Sequence, residues 1–352
     1  MKSAGLVDLQ VNGFAGVDFN AGAFGGSALE PAFEALLATG VTTLLPTIIT
    51  ATPEQLEQRL TALDAAISAS PLGRLMCPGY HLEGPFLNPL PGYAGCHPAE
   101  AMTAPDYALV ERLERRLSRP ILLLTLAPEL DGALDCIQRA HQAGKLVGIG
   151  HSAANFAQVS AAADAGARIS THLGNGLPQA LHKLDNTIYA QLAEDRLSAG
   201  FIADGIHLPP RALKVLLRVK GAGAILVTDA VAAAAALPGR YPFAGMEVER
   251  MADGSVRLPG GATLAGSSLR LDDAVRNIVA WGLADASEAL DMASSRPAAL
   301  LSPTLAAHGL ALPPAELLWS EQLALRALQL GPVHRDYPPP SYASLMENDH
   351  AQ

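Results

Sequence analysis

The chain has 352 residues, 49% of them hydrophobic and 16% charged, with a formal net charge of -10. This composition supports a large buried core and excludes general disorder, while the negative charge argues against nucleic acid or an anionic membrane as the main partner, since both demand a basic face. Cys77, Cys96 and Cys136 are odd in number and far apart with no C-x-x-C pair, which argues against a disulfide framework and a zinc finger and favours a reducing compartment. No stretch of 18 uninterrupted apolar residues and no signal-like amino terminus is present, so the cytoplasm is the expected location.

In chain order, short β-rich runs fall at 5–12, 41–48, 74–83, 120–127, 145–151, 167–172, 197–204 and 224–230. Between most of them lie amphipathic, alanine-rich segments of helical length, such as 53–69, 104–117, 130–143 and 209–220, often opened by Ser, Thr, Asp or Pro. The span 173–196 carries the weakest helical pattern. Eight strand-helix units in series predict a closed α/β barrel of the (β/α)₈ TIM type, and no G-x-G-x-x-G follows the first strand to suggest a dinucleotide fold. The barrel unit is expected over 1–304, with a hairpin at 245–261 turning at Asp253-Gly254 and helices at about 269–283 and 286–300. PAELLW (314–319) and ALRALQL (324–330) read as remnants of a small β domain over 305–333, and the proline-rich stretch 334–352 reads as a loose tail.

Barrels of this type collect their chemistry at the carboxyl ends of the strands. Here those ends offer Gln10 and Asn12, Glu83, Glu129, His151, His172, His207 just beyond the seventh strand, and Asp229. A lone histidine at a strand end is more often a hydrogen-bonded structural residue than a ligand. Convergence changes that reading: GIGHS and ISTHLGNG bring two imidazoles to neighbouring points of one rim, and HLEGP adds a carboxylate where Gly84 and Pro85 end the strand. A His₂Glu set with an open position suits a hydrolytic divalent metal that makes water a nucleophile near neutral pH. Asp229, which could also be a helix cap, is placed to act as the acid/base of such a reaction.

These residues sit in motifs that resemble the N-acetylglucosamine-6-phosphate deacetylases of the amidohydrolase superfamily. GLVDLQVNG, LLPT, HLEGPFLNP, GCHP, TLAPE, GHS, THLGNG, IADGIH, VTDA and LAGSS occur in order between about residues 4 and 300. The resemblance implies a (β/α)₈ barrel with a small β-sandwich, hydrolysis of an acetamide on a phosphorylated amino sugar, and a homodimer. It implies Glu83, His151 and His172 as ligands of one divalent metal, zinc first and iron, manganese or cobalt as alternatives. It further implies Asp229 as acid/base, His97 of GCHP near the acetamide, and His207, Asn175 and the backbone of Gly176 as contacts to sugar or phosphate. Many barrels of the superfamily begin with H-x-H, which helps to hold a second metal. Gln10 and Asn12 stand there instead, and neutral amides are poor zinc ligands, so a single metal is expected.

Two features depart from the family pattern. The segment after His172 reads LPQALHKLDNTIYAQL, with Lys183 as its only cation where relatives carry an Arg, and Lys lacks the guanidinium fork that suits a phosphate. A non-phosphorylated or differently modified N-acyl amino sugar is therefore an alternative substrate. The chain also starts only a few residues before its first motif, so the sandwich domain is expected to be reduced or absent, leaving apolar barrel surface as a reason to dimerise. A catalytically inactive scaffold barrel is the alternative from another class, and the retention of Glu83, His151, His172 and Asp229 argues against it.

Overall fold

Apolar runs without alternation are what a strand needs when both faces are covered, and the computed structural model, which describes residues 1–338, buries almost all of them. The strands are Leu6–Val11, Val41–Ile49, Tyr80–Glu83, Ile121–Leu126, Leu146–Ile149, Ala167–Ser170, Ser198–Phe201 and Ala224–Leu226. Each pairs in parallel with its successor to form one eight-stranded sheet. Helices cover the outside, and the TIM-type barrel expected from the sequence is present.

The first and eighth strands share no continuous ladder. They meet through one parallel bridge between Val11 and Ala230, with Asp229 N donating to Gln10 O at 3.0 Å and Asn12 N to Ala230 O at 2.7 Å. Below that bridge, Thr228 donates from its hydroxyl to Asp8 Oδ2 at 2.7 Å and from its amide to Asp8 Oδ1 at 3.2 Å. A buried carboxylate thus stitches the seam where backbone pairing runs out.

Local signals explain the helix boundaries. Pro53–Ala69 starts at a full capping box, with Thr52 accepting from Gln55 N and the Gln55 side chain returning to the Thr52 amide. The third strand is shorter than its apolar run suggested. Pro71–Met76 is helical, because Ser70 caps Gly73 N and Pro71 occupies the first turn, so residues 74–76 belong to a helix and the strand begins at Tyr80. In the weakly patterned span 173–196 only Thr187–Ala193 is helical, capped by Asn186, and the residues before it form a loop over the barrel mouth. The last predicted helix divides at Ser294 into Ala286–Ala293 and Ser295–Ala307.

After the eighth strand a three-stranded antiparallel sheet forms from Gly239–Phe243, Met246–Arg250 and Val256–Arg257. Its apolar side joins Ile49, Val231, Phe243, Val248, Val256 and Ala265 in a core of its own beside the mouth. A second antiparallel sheet unites the two ends of the described chain: Lys2–Ala4 pairs with Ala315–Trp319, which pairs with Leu325–Leu330 and then Val333–Asp336. Trp319 Nε1 donates to Ser3 Oγ at 2.8 Å across that sheet. The stretch read as tail from 334 thus begins inside a strand that runs to Asp336, and residues 339–352 lie outside the described residues.

Candidate active site

Three of the residues singled out at strand ends have a backbone that side-chain-bearing residues rarely adopt: φ is 50° at His151, 31° at His172 and 51° at Asp229. Left-handed conformations at non-glycine residues carry strain and persist where the surroundings impose them, often at functional sites. Here they turn each side chain from the strand direction into the mouth. Glu83 needs no such turn, since it is the last residue of its strand.

Glu83 is the centre of the cluster. His172 Nε2 lies 2.9 Å and His151 Nε2 3.5 Å from Glu83 Oε1, and His97 Nε2 lies 3.8 Å from Oε2. All four side chains are buried. Burial alone would raise Glu83 and lower His172. Against it, the bonds from His151 and then His172, with the nearby imidazoles, hold the Glu83 carboxyl well below its usual range, and the bond and charge of Glu83 carry His172 up to about 9. His97 goes the other way: burial, then the neighbouring His151, pushes it down to about 3.

Donor atoms of Glu83, His97 and His151 all lie within 4.8 Å of one another, a grouping able to hold a metal ion. Carboxylate and imidazole donors suit a divalent transition metal. His97 therefore stands closer to the ligand group than its sequence assignment, beside the acetamide, implied. His151 Nδ1 faces Tyr93 O at 2.6 Å, and a main-chain carbonyl can only accept, so the Nε2 lone pair is free on the side that meets Glu83. His97 Nδ1 meets Thr50 Oγ1 at 2.9 Å.

Asp229 faces this group from the seam. Asn12 Nδ2 donates to Asp229 Oδ1 at 2.6 Å and Gln10 Nε2 donates to the same oxygen at 3.2 Å. Burial first, and the Glu83 charge second, lift Asp229 to about 6 against the opposing pull of His172, His207 and the Asn12 bond. A carboxyl so placed can both take up and release a proton near neutrality.

A cavity of about 560 Å³ opens above the cluster, lined by Glu83, His97, His151, His172 and Asp229 at its base. Asn175, Gly176 and His207 line its sides, as does Asn12. Lys183 is exposed on the loop before the helix Thr187–Ala193 and is not among the lining residues, and no Lys or Arg is among them. Asn175 commits its amide to His172 O at 3.1 Å. Gly176, at φ 62°, is required by space: a Cβ there would stand 2.6 Å from the His151 ring.

Several contributors had no sequence signal or a misleading one. Glu129, which the sequence places with the reactive residues, lies three residues beyond the fourth strand and is not among those that line the cavity. It accepts from Asn88 Nδ2 at 2.9 Å, Ser152 Oγ at 2.6 Å and Ala153 N at 2.5 Å, clamping the loops that follow Glu83 and His151. Asp204 meets His207 Nδ1 at 2.6 Å and accepts the amides of Ile206 and His207, a role visible in retrospect from the D-x-x-H spacing. Phe243 and Leu264 bring the post-barrel sheet to the cavity wall beside Ile49 and Cys96. Tyr93 acts through its carbonyl, which no side-chain motif announces.

Comparison with known proteins adds relatives and folds. The chain is 33% identical over 313 residues to the N-acetylglucosamine-6-phosphate deacetylase of Caenorhabditis elegans, covering 85% of this chain and 73% of that protein. It is 35% identical over 295 residues to the N-acetylgalactosamine-6-phosphate deacetylase of Escherichia coli O157:H7, covering 84% and 76%. Among solved structures, the N-acetyl-D-glucosamine-6-phosphate deacetylase of Mycobacterium smegmatis, as a variant in complex with N-acetyl-D-glucosamine-6-phosphate, superposes with a TM-score of 0.82 at 28% identity, over 94% of this chain and 85% of that one. No protein-family model matches the chain.

Proposed function

The chain belongs to the N-acetylglucosamine-6-phosphate deacetylase family, and from that membership we propose that it hydrolyses N-acetylglucosamine 6-phosphate to glucosamine 6-phosphate and acetate. The observation that carries the reading is the opposition of Asp229 to the Glu83, His97, His151 and His172 cluster across the base of one cavity. The enzyme is a hydrolase of an amide bond and a member of a metal-dependent superfamily. One divalent ion per chain would be held by Glu83, His151 and His172, whose carboxylate and imidazole donors suit zinc and also admit iron, manganese or cobalt. When bound, it supplies Lewis-acid polarisation and makes a water usable as nucleophile.

The residues do the rest. Asp229, lifted by burial towards neutrality, accepts the proton of the attacking water. It then returns that proton to the acetamide nitrogen, so that an amine leaves and not an amide anion. Asn12 and Gln10 hold the carboxylate at one oxygen, which leaves the other to move the proton. His97, braced by Thr50, opposes the charge that develops on the carbonyl oxygen. His207, fixed by Asp204, contacts the sugar together with Asn175 and the backbone of Gly176. Lys183, the one cation of the segment 177–192 that follows the Asn175-Gly176 turn, is assigned to the phosphate, although it stands exposed outside the cavity lining.

We further propose a cytoplasmic homodimer. Leu90, Phe156, Leu184 and Tyr189 are all exposed on loops and helix starts near the mouth, an apolar surface that a second copy would cover. Among the described residues no helix is long and apolar enough to cross a membrane. The deciding experiment is a panel of N-acetyl amino sugars, glucose and galactose configured, each with and without 6-phosphate, followed by release of free amine. The expected order puts N-acetylglucosamine 6-phosphate first; a strong preference for unphosphorylated sugars would transfer the assignment to a neutral amino sugar.

A further inference from the structure

Beneath the metal-binding cluster, inside the barrel, two polar atoms are buried without any hydrogen-bond partner: Ser170 Oγ at the end of the sixth strand and His172 Nδ1 two residues later. Both residues line the same small cavity of about 10 Å³, with Gln10, His81 and Thr171 around it beside the apolar Leu9, Leu123, Ile169 and Val227. That is the space of one water molecule. Buried hydroxyls and ring nitrogens are almost always paired, and ordered water serves where no protein group reaches.

The neighbours do not fill the role. His81 uses Nδ1 towards Thr47 Oγ1 at 3.3 Å and Nε2 towards Thr125 Oγ1 at 2.8 Å. Thr171 Oγ1 is engaged with Thr125 Oγ1 at 2.7 Å. Gln10 gives its amide to Asp229. The fully buried polar atoms around this space that remain without a partner are Ser170 Oγ and His172 Nδ1.

We infer that Ser170 is a positioning residue that holds one buried water against His172 Nδ1, fixing the ring in the tautomer that presents Nε2 to the metal. The inference rests on the proposed ligand role of His172. It completes a symmetry in the ligand set. The His151 ring is fixed by the Tyr93 carbonyl at 2.6 Å, and the His172 ring is fixed by a water that Ser170 anchors. A ligating imidazole whose other nitrogen donates to a fixed acceptor is oriented and made more basic, and loss of such a partner weakens metal affinity by about 10- to 100-fold.

The test is zinc affinity, measured by competition with a chromophoric chelator on the full-length protein and its Ser170→Ala and Ser170→Val variants, with a high-resolution crystal structure of the wild type. One water within hydrogen-bond distance of Ser170 Oγ and His172 Nδ1 is expected. Affinity is expected to fall in the order wild type, Ser170→Ala, Ser170→Val, with the valine filling the cavity and losing about 10- to 100-fold. In the cobalt-substituted enzyme the visible absorption of Ser170→Val is expected to shift, a change that loosened packing elsewhere would not produce. Zinc affinity within twofold of wild type in both variants, or a His172 Nδ1 bonded directly to a protein atom, overturns the inference. His172→Asn separates the two levels: if it retains stoichiometric zinc, the ligand role itself fails, whereas zinc lost there but unchanged in Ser170→Val rejects only the water link.

Discussion

Asn12 donates its side-chain amide to Asp229 at 2.6 Å, and Gln10 reaches the same oxygen at 3.2 Å. The two amides at the end of the first strand therefore serve the proposed acid/base directly. Asn12→Leu removes a donor that favours the charged form, so Asp229 moves further up from about 6. The acidic limb of the kcat/KM profile should shift to higher pH, with about a tenfold loss at neutrality. An unchanged limb would separate Asn12 from the proton transfer.

Asp229→Asn should retain bound metal and lose turnover by about 10²- to 10⁴-fold, the usual span for a general acid/base group. Metal content by atomic spectroscopy and initial rates, taken on the same preparation, check both halves. Near-normal turnover would remove Asp229 from the mechanism.

The roles of His97 and His172 can be exchanged by experiment because both lie against Glu83. His172→Asn should lose stoichiometric metal. His97→Asn should keep it while kcat falls by about 10²- to 10³-fold, as when an oxyanion donor is removed. The opposite pattern would make His97 the ligand, in line with its proximity to Glu83 and His151.

Glu129→Ala leaves Asn88, Ser152 and the Ala153 amide without their common acceptor. A cost of about 1–3 kcal/mol in stability is expected, together with weaker metal binding, because the loops that follow Glu83 and His151 lose their clamp. Thermal unfolding with and without added zinc measures both. Unaltered zinc stabilisation would show that the clamp serves the fold alone.

Asp8 gives a pH dependence of stability. Burial, only partly offset by the bonds from Thr228 and Gln10, raises its carboxyl to about 7. The unfolded chain titrates near 4, so between those values the folded protein binds the additional proton and stability falls as pH rises, levelling off above about 7. Asp8→Asn should flatten that slope in melting temperature between about pH 5 and 8. A slope equal to that of the wild type would place its origin elsewhere.

The barrel was legible because its signals repeat: eight apolar runs, capped helices between them, and polar or titratable residues at the same end of most units. Position along a strand told where Glu83, His151, His172 and Asp229 would meet. It did not tell which way a side chain turns after the strand ends, so Glu129 read like the others although it points into the loops. The residues 74–76 read as strand because the apolar Leu75 and Met76 suit both structures, while the deciding Ser70 cap and Pro71 lie outside the run. Contributions made through main-chain atoms, such as Tyr93 O, or through a distant sheet, such as Phe243, leave no mark at the level of motifs.

The seam between the first and eighth strands has a further meaning. Because Asp229 bonds to Gln10 O through its amide and to Asn12 through its carboxylate, the proposed acid/base is also a rivet in the joint that shuts the cylinder. Catalysis then gauges closure: heat or denaturant that parts this joint should silence the enzyme before the remaining walls give way.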